Sequence, residues 1–324
     1  MIRTYNLAQI RSVLRNADLL SDMEEGFVLY SKNEVVVPPV GHLGFTKPPG
    51  DVHIKYGYIQ NDDYYVIKIA SGFYDNPKNN LPSSDGLMLL FQQKTGRLEA
   101  ILADEGYLTD MRTAAAGAVV AKYLAPKDVQ CIGIIGAGVQ ATLQLQFLKE
   151  VVDCRNVVVW GRDGAKLAKF QEDLSVDGFT ISITQDMDEV TQRCNLIVTT
   201  TPSKVPLLFA DKIRKGTHIT GVGADTKEKQ ELDPSLFSVA DIVVVDSIDQ
   251  CVDHGDTAHA MRAGIVQKVD LVELGNVIRE PSYRRQNDDQ ITIADLTGVA
   301  VQDIQIAKHV YRKLSTAAAV RTEP

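Results

Sequence analysis

Two patterns of hydrophobic and polar positions divide this chain. From about 129 to 246, short β-branched runs alternate with helix-length stretches: 129–135, 156–160, 179–184, 195–201, 217–223 and 241–246. The last reads Asp241-Ile242-Val243-Val244-Val245-Asp246. Runs that are apolar on both faces and separated by helices belong to a parallel sheet covered on both sides. This predicts a doubly wound sheet of about six strands. The first 108 residues follow another rule. After an N-terminal helical segment, strands alternate over 52–60, 64–69, 86–92 and 98–102, with Asn61-Asp62-Asp63 and Lys94-Thr95-Gly96 as hairpin turns. That predicts an antiparallel sheet in a separate domain. A helix over about 109–123, with Pro126 past its end, joins the two. A last helical segment over about 299–314 is expected to return to the first domain, and 316–324 reads as a frayed tail.

Composition changes this picture little. The 324 residues are 44% hydrophobic and 23% charged, as in a soluble globular protein with room for two domains. The net charge of −8 argues against a nucleic-acid-binding face and against attraction to anionic lipid. No apolar run approaches the roughly 18 residues of a membrane span, and residues 1–6 lack an apolar signal core. Cys131, Cys154, Cys194 and Cys251 are scattered with no C-x-x-C pair, and Cys131 and Cys194 read as small buried hydrophobes. A reducing, cytoplasmic location is expected.

The chemistry begins at the end of the first parallel strand. Gly136-Ala137-Gly138-Val139-Gln140-Ala141 is a G-x-G-x-x-A turn leading from strand to helix. Gly136 permits the tight turn, Gly138 lets the backbone approach a pyrophosphate, and Ala141 keeps the helix close to its strand. Folds of this kind that prefer NAD place an acid at the end of the second strand. Here Gly161 holds that position and Arg162 follows, so NADP(H) is favoured; Asp163 keeps NAD(H) possible.

Three further residues stand out. Lys68 shares a strand face with Val66 and Ala70. It is either a desolvated lysine suited to proton transfer or an exposed strand lysine. Arg112, with Thr109 as N-cap, is expected in a first helical turn, where the dipole disfavours a cation unless an anion binds across it. It suits a small carboxylate, or else a salt bridge to Asp104 or Glu105. Asp225 follows the fifth parallel strand, at the edge where such sheets bind ligands; it can exchange a proton with a substrate amine or cap the next helix. His254 and His259 match no metal-ligand spacing and read as surface polar residues, so no metal is expected. A serine elbow and a Walker A loop are missing.

These segments resemble the ornithine cyclodeaminase/μ-crystallin family over nearly the whole chain. The matching stretches are 66–72, 104–126, 133–141, Thr199-Thr200-Thr201-Pro202-Ser203, 221–232 and Asp295-Leu296-Thr297-Gly298. The resemblance implies an α/β protein: a Rossmann-type doubly wound parallel sheet over 126–298, and a smaller antiparallel α+β substrate and dimerisation domain over 1–125 with 299–324. It implies Lys68 as a catalytic and substrate-binding lysine, Asp225 as an acid/base carboxylate and Arg112 as the holder of the substrate carboxylate. Ser83, Thr113, Val139, Gln140, Thr201, Val222, Gly223, Ala224, Lys229, Thr297 and Gly298 match positions near cofactor or substrate. Gly161 departs from the ribose acid of the NAD-using members.

The implied activity is hydride transfer from NAD(P)H to the α-carbon of a small imino acid, either a cyclic ketimine such as Δ1-pyrroline-2-carboxylate or an open-chain imine. A homodimer is implied. Cyclodeamination of L-ornithine to L-proline with catalytic NAD is the alternative, and a non-catalytic small-molecule binder a second. One departure weighs against the cyclodeaminase. The second carboxylate-binding arginine of the family is missing, and Lys55 stands near the place of an acid for the distal amine. A cation ~4 Å from ornithine's δ-ammonium costs about 4 kcal/mol at an effective dielectric near 20. Lys55 either replaces the arginine, grips a second acidic group, or faces solvent.

Overall fold

The computed structural model describes residues 2–73, 75–175 and 177–320. The chain forms two compact units, Met1–Arg112 with Val299–Pro324, and Thr113–Gly298.

The first unit carries a seven-stranded sheet in the order β1 (Arg3–Asn6), β7 (Leu98–Ala103), β6 (Ser84–Gln92), β5 (Tyr64–Phe73), β4 (Pro49–Ile59), β2 (Val35–Val36), and β3 (Gly41–Thr46) also pairs with β4. All neighbours are antiparallel except β1, which runs parallel to β7. The four expected strands are present, and their turns place Asn61 at φ 62° and Gly96 at φ 66°. The hydrophobic pattern missed β1, β2 and β3. In β3 five of six residues are exposed, so no buried face writes an alternation into the sequence.

Helix Asn16–Ser31 buries Leu19, Met23 and Phe27, spaced one turn apart. Helix Ala300–Val320 packs on it and on β4 and β5. The two helices approach closely at Gly26, where a Cβ would stand 2.9 Å from Gln305 Cγ. Gln305 donates to Glu25 at 2.9 Å, His309 pairs with Asp22 at 2.6 Å, and Lys313 reaches Asp18 at 3.3 Å. This row fixes the rotation of the last helix. The helix continues through Val320, well into the expected tail, and 321–324 lie outside the described residues.

The second unit holds an eight-stranded, all-parallel sheet. Its order is β10 (Thr180–Thr184), β9 (Asn156–Trp160), β8 (Ile132–Ile135), β11 (Leu196–Thr199), β13 (His218–Gly221), β17 (Thr292–Asp295), β15 (Ile242–Val245), β16 (Leu271–Glu273). The winding reverses between β8 and β11, the topological switch point of a Rossmann-type α/β fold. A parallel ribbon of β12 (Lys204–Leu208) and β14 (Gln230–Leu232) stands beside it. Six strands were expected and eight are found. β17 escaped because Thr292-Ile293-Ala294-Asp295 offers one large apolar residue, although all four are buried at the sheet's centre.

Helix Tyr107–Leu124 starts before the expected Thr109, which is not its N-cap. Asp104 serves the free helix end instead: its Oδ2 accepts the Leu108 N–H at 2.8 Å. Arg112 consequently lies in the second turn rather than the first.

The carboxyl-end loops of β11 and β13 are tied by one buried acid. Glu231 accepts from Thr199 Oγ1 at 2.7 Å, from Thr201 N at 2.6 Å and Oγ1 at 2.7 Å, and from Gly223 N at 2.8 Å. The loops are so close that a Cβ on Gly223 would lie 2.2 Å from Thr201 O. Burial raises the Glu231 carboxyl from 4.5 to about 7, against the pull of those donors. Glu231→Gln would turn an NH2 group toward the N–H donors at a cost of about 1–3 kcal/mol. The expected outcome is a lower Tm by calorimetry; an unchanged Tm would mean that the loops do not depend on this acceptor.

Candidate active site

In the first unit, register decides which side chains meet. Lys68 on β5 stands directly opposite Lys55 on β4, so both point to one face of the sheet. Lys68 is 2% exposed, which removes the solvent-facing alternative. Its Nζ lies 3.2 Å from Asp303 Oδ2. The other carboxylate oxygen accepts from Arg112 Nε at 3.1 Å, and Gln302 Oε1 accepts from Arg112 Nη1 at 2.6 Å. Arg112 thus pairs with Asp303, 191 residues further along, and not with Asp104 or Glu105. Its Nη2 has no partner among the described residues.

Asp303 escaped the sequence reading. It falls in the first turn of helix Ala300–Val320, where the helix dipole favours an acid and where an acid draws no attention. The usable signal was its place just beyond Asp295-Leu296-Thr297-Gly298.

The electrostatics follow from burial. Desolvation brings the Lys68 ammonium down from 10.5 to about 7; Asp303 works against the fall, while Arg112 and Lys55 add to it. Burial alone would raise Asp303, but Lys68, Arg112 and Lys55 outweigh it and hold the carboxyl below its usual value. Burial raises Asp104 to about 6. Lys68 and Arg112 therefore share one ionised acid, with the Lys55 charge felt by it as well, an arrangement suited to a carboxylate. Lys55 is half-buried, so it does not simply face solvent. Ser83 is exposed, and its carbonyl accepts the Phe73 N–H at 2.8 Å.

In the second unit a cavity of about 720 Å³ opens at the glycine turn. It is lined by Gly136, Gly138, Gly161, Arg162, Lys166 and Thr201, among others. Its size suits a cofactor pocket. Gly136 has φ 118°, and a Cβ there would strike Thr200 Oγ1 at 2.5 Å. A Cβ on Gly138 would meet no atom within 4 Å, so the missing side chain leaves open space. Gly138 caps helix Val139–Leu148 without a side-chain hydrogen bond, which leaves its first N–H groups to an anion. These features fit a dinucleotide.

Asp163 also lines the cavity, and its Oδ1 accepts the Ala165 and Lys166 N–H groups at 3.0 and 3.2 Å. Arg162, Lys166 and Lys204 are the cations of the lining.

Other sequence candidates lie outside this lining. Val139 is exposed, Gln140 half-buried, and Ala141 fully buried beneath the helix. Val222 and Ala224 are buried, and Gly223 is held by Glu231. The Thr113 carbonyl accepts from Gln144 Nε2. Asp225, with a side chain 46% exposed, pairs with Lys229 at 2.6 Å. The next element is β14, so Asp225 caps no helix.

Thr297 donates to Asp246 Oδ1 at 3.1 Å and accepts from Gln250 at 2.9 Å, while the Gly298 N–H reaches Asp246 Oδ2 at 2.6 Å. His259 bonds the Lys229 carbonyl at 3.0 Å, and His254 precedes helix Gly255–Arg262. Cys131 and Cys194 are buried, as expected. Among the described residues no helix is long and apolar enough to cross a membrane.

Comparison with known proteins identifies the family. A relative from Sinorhizobium fredii named as an uncharacterized cyclodeaminase is 41% identical over 299 residues, covering 91% of this chain and 90% of its own. An archaeal alanine dehydrogenase, a dimer with bound NAD, superposes with a TM-score of 0.89 at 33% identity, covering 98% of this chain and 97% of that one. The iminosuccinate reductase of Paracoccus denitrificans with NAD+ gives 0.88 at 30%, over 98% and 97%. The Δ1-pyrroline-2-carboxylate reductase of Thermococcus litoralis with NADH and L-proline gives 0.92 at 28%, over 98% of each chain. The proteins similar to this chain are thus reductases, dehydrogenases and cyclodeaminases. The sequence profile of the ornithine cyclodeaminase/mu-crystallin family matches residues 3–318, and the chain belongs to that family.

Proposed function

We propose that this protein is an NAD(P)H-dependent oxidoreductase that delivers hydride to the α-carbon of a small imino acid. The observation that carries this reading is the buried pair of Lys68 and Arg112 on a single carboxylate. Arg112 offers Nη2, beside Nη1, to a substrate carboxylate. Lys68, balanced near neutrality, polarises or protonates the nitrogen side of the imine. Asp225 relays the proton to nitrogen, with Lys229 holding its carboxylate. The nicotinamide supplies the hydride when bound. Gly136 and Gly138 would admit its pyrophosphate at the helix N-terminus, and Gly161 with Arg162 its adenosine ribose.

The named relatives with bound cofactor carry NAD or NADH. NADP(H) is nevertheless our reading for this chain. It is supported by the glycine at the ribose-acid position, by Asp163 being occupied as a cap, and by Arg162 and Lys166 on the wall. We also take the protein to act as a homodimer, supported by the dimeric alanine dehydrogenase and by exposed Leu43, Phe45, Tyr56 and Tyr58 on β3 and β4.

A second reading, cyclodeaminase, is favoured by the Sinorhizobium relative. Lys55 weighs against it, because a cation on the Lys68 face repels a substrate's distal ammonium.

Four measurements test these readings. A screen of Δ1-pyrroline-2-carboxylate, Δ1-piperideine-2-carboxylate and 2-keto acids with ammonia, with NADPH and NADH, should show dinucleotide oxidation. Proline and ammonia from L-ornithine with catalytic NAD would replace this reading by the cyclodeaminase. Because Lys68 is protonated only below about pH 7, kcat/KM for reduction should fall as pH rises through that value; a profile flat to pH 9 would remove Lys68 as the proton source. Arg162→Asp should raise the KM for NADPH about tenfold or more and spare NADH, a difference of about 1.4 kcal/mol. Equal effects on both would end the NADP(H) assignment.

A further inference from the structure

We propose that Asp303 is the positioning residue of this site, setting Lys68 Nζ and the Arg112 guanidinium at one fixed separation while Gln302 fixes the guanidinium's rotation. This rests on the reading of Lys68 and Arg112 as substrate-handling groups. In an α-imino acid the carboxylate is bonded to the very carbon that carries nitrogen. The group that grips the one and the group that serves the other must therefore stand within a few ångströms, in a defined direction. Two cations left to themselves move apart. Asp303 prevents this by taking a different cation on each oxygen, Arg112 Nε on Oδ1 at 3.1 Å and Lys68 Nζ on Oδ2 at 3.2 Å. Gln302 Oε1 takes Nη1 at 2.6 Å, so the guanidinium cannot turn about its Nε contact, and Nη2 is the edge that stays open.

The carboxylate itself has little freedom. Lys68, Asp303 and Gln302 are each 2% exposed or less. The helix that carries Asp303 is held by its polar row against helix Asn16–Ser31. Asp303 touches neither reacting atom in this arrangement; it acts through the two residues that do.

A plainer account makes Asp303 a counter-ion whose presence matters and whose placement does not. Asp303→Glu separates the two, because it keeps the charge and moves it by one methylene. Positioning predicts that Asp303→Glu lowers kcat at least tenfold while the pH at which reduction fails stays put. A counter-ion alone predicts kcat within twofold of the parent, and that result overturns the proposal. Asp303→Asn keeps the shape and removes the charge, so the loss of activity at high pH should move acidward by about one unit or more. An unmoved pH limit in that variant also overturns it.

Failure of the reaction assignment is read separately. The pH dependence of acetic anhydride labelling at Lys68, followed by mass spectrometry on the full chain, reports the ammonium without any turnover. It should shift acidward in Asp303→Asn and stay unchanged in Asp303→Glu. Dinucleotide binding by fluorescence shows that each variant is folded. If Asp303→Asn does not fold, Gln302→Leu takes its place, with the KM for the imino acid expected to rise about tenfold at unchanged labelling; an unchanged KM overturns the proposal.

Discussion

A lysine, an arginine and one carboxylate share an interior position in the first unit, and the site depends on how that burial balances. Taking each ion out of water costs several kcal/mol. Each contact to Asp303, near 3 Å, returns about 5 kcal/mol at an effective dielectric near 20. Against those contacts stand the desolvation of all three ions and the mutual repulsion of the two cations. The residue of that imbalance appears in Lys68, which falls to about 7 although an acid lies against it. Such a group is held ready to give up a proton, and an arriving carboxylate completes the balance. On the proposed reading, that imbalance is what a substrate carboxylate would relieve.

The second unit uses buried carboxyls differently, as acceptors for backbone N–H groups at the carboxyl edge of the parallel sheet. Glu231 joins the loops after β11 and β13. Asp256 accepts from Glu231 and Leu232 N–H at 2.7 and 2.9 Å, and Asp246 accepts from Gly298. Glu231 and Asp295 rise to about 7 and Asp256 well above its usual value, chiefly through burial. A group raised in this way is least unfavourable when protonated. These acids therefore oppose folding increasingly as pH rises from the usual carboxylate range through about 7. Their hydrogen bonds hold loops that no hydrophobic contact could hold at a polar edge open to a ligand.

What could be read in the sequence follows from this division. The parallel strands, the glycine turn and Lys68 were legible because each rests on local pattern: apolar runs, a fixed spacing, an odd cation in an apolar strand. β17 was illegible because its burial comes from its neighbours and not from its own composition. Asp303 and Glu231 were illegible for a related reason. Each is an unremarkable acid until the fold brings it partners 191 and 235 positions away in the one case, and 8 to 32 in the other. Arg112 was singled out on a wrong premise, since its helix begins earlier than the Thr109 cap implied. Its value as a candidate survived because the resemblance to the family pointed to it independently.

The same geometry bears on how a substrate would be chosen. Alanine, iminosuccinate and pyrroline-2-carboxylate, the compounds for which similar proteins are named, share a carboxylate next to a carbon bearing nitrogen and differ in the rest. A pair locked on one carboxylate can address only that shared portion. Discrimination has to come from side chains set off from the pair by about one strand spacing, roughly 5 Å. Lys55 occupies such a place, half-buried opposite Lys68 on the adjoining strand. A charge there is felt by both Lys68 and Asp303. On the proposed reading, the buried pair serves the reaction, and the half-buried Lys55 one strand away is where substrate choice would lie.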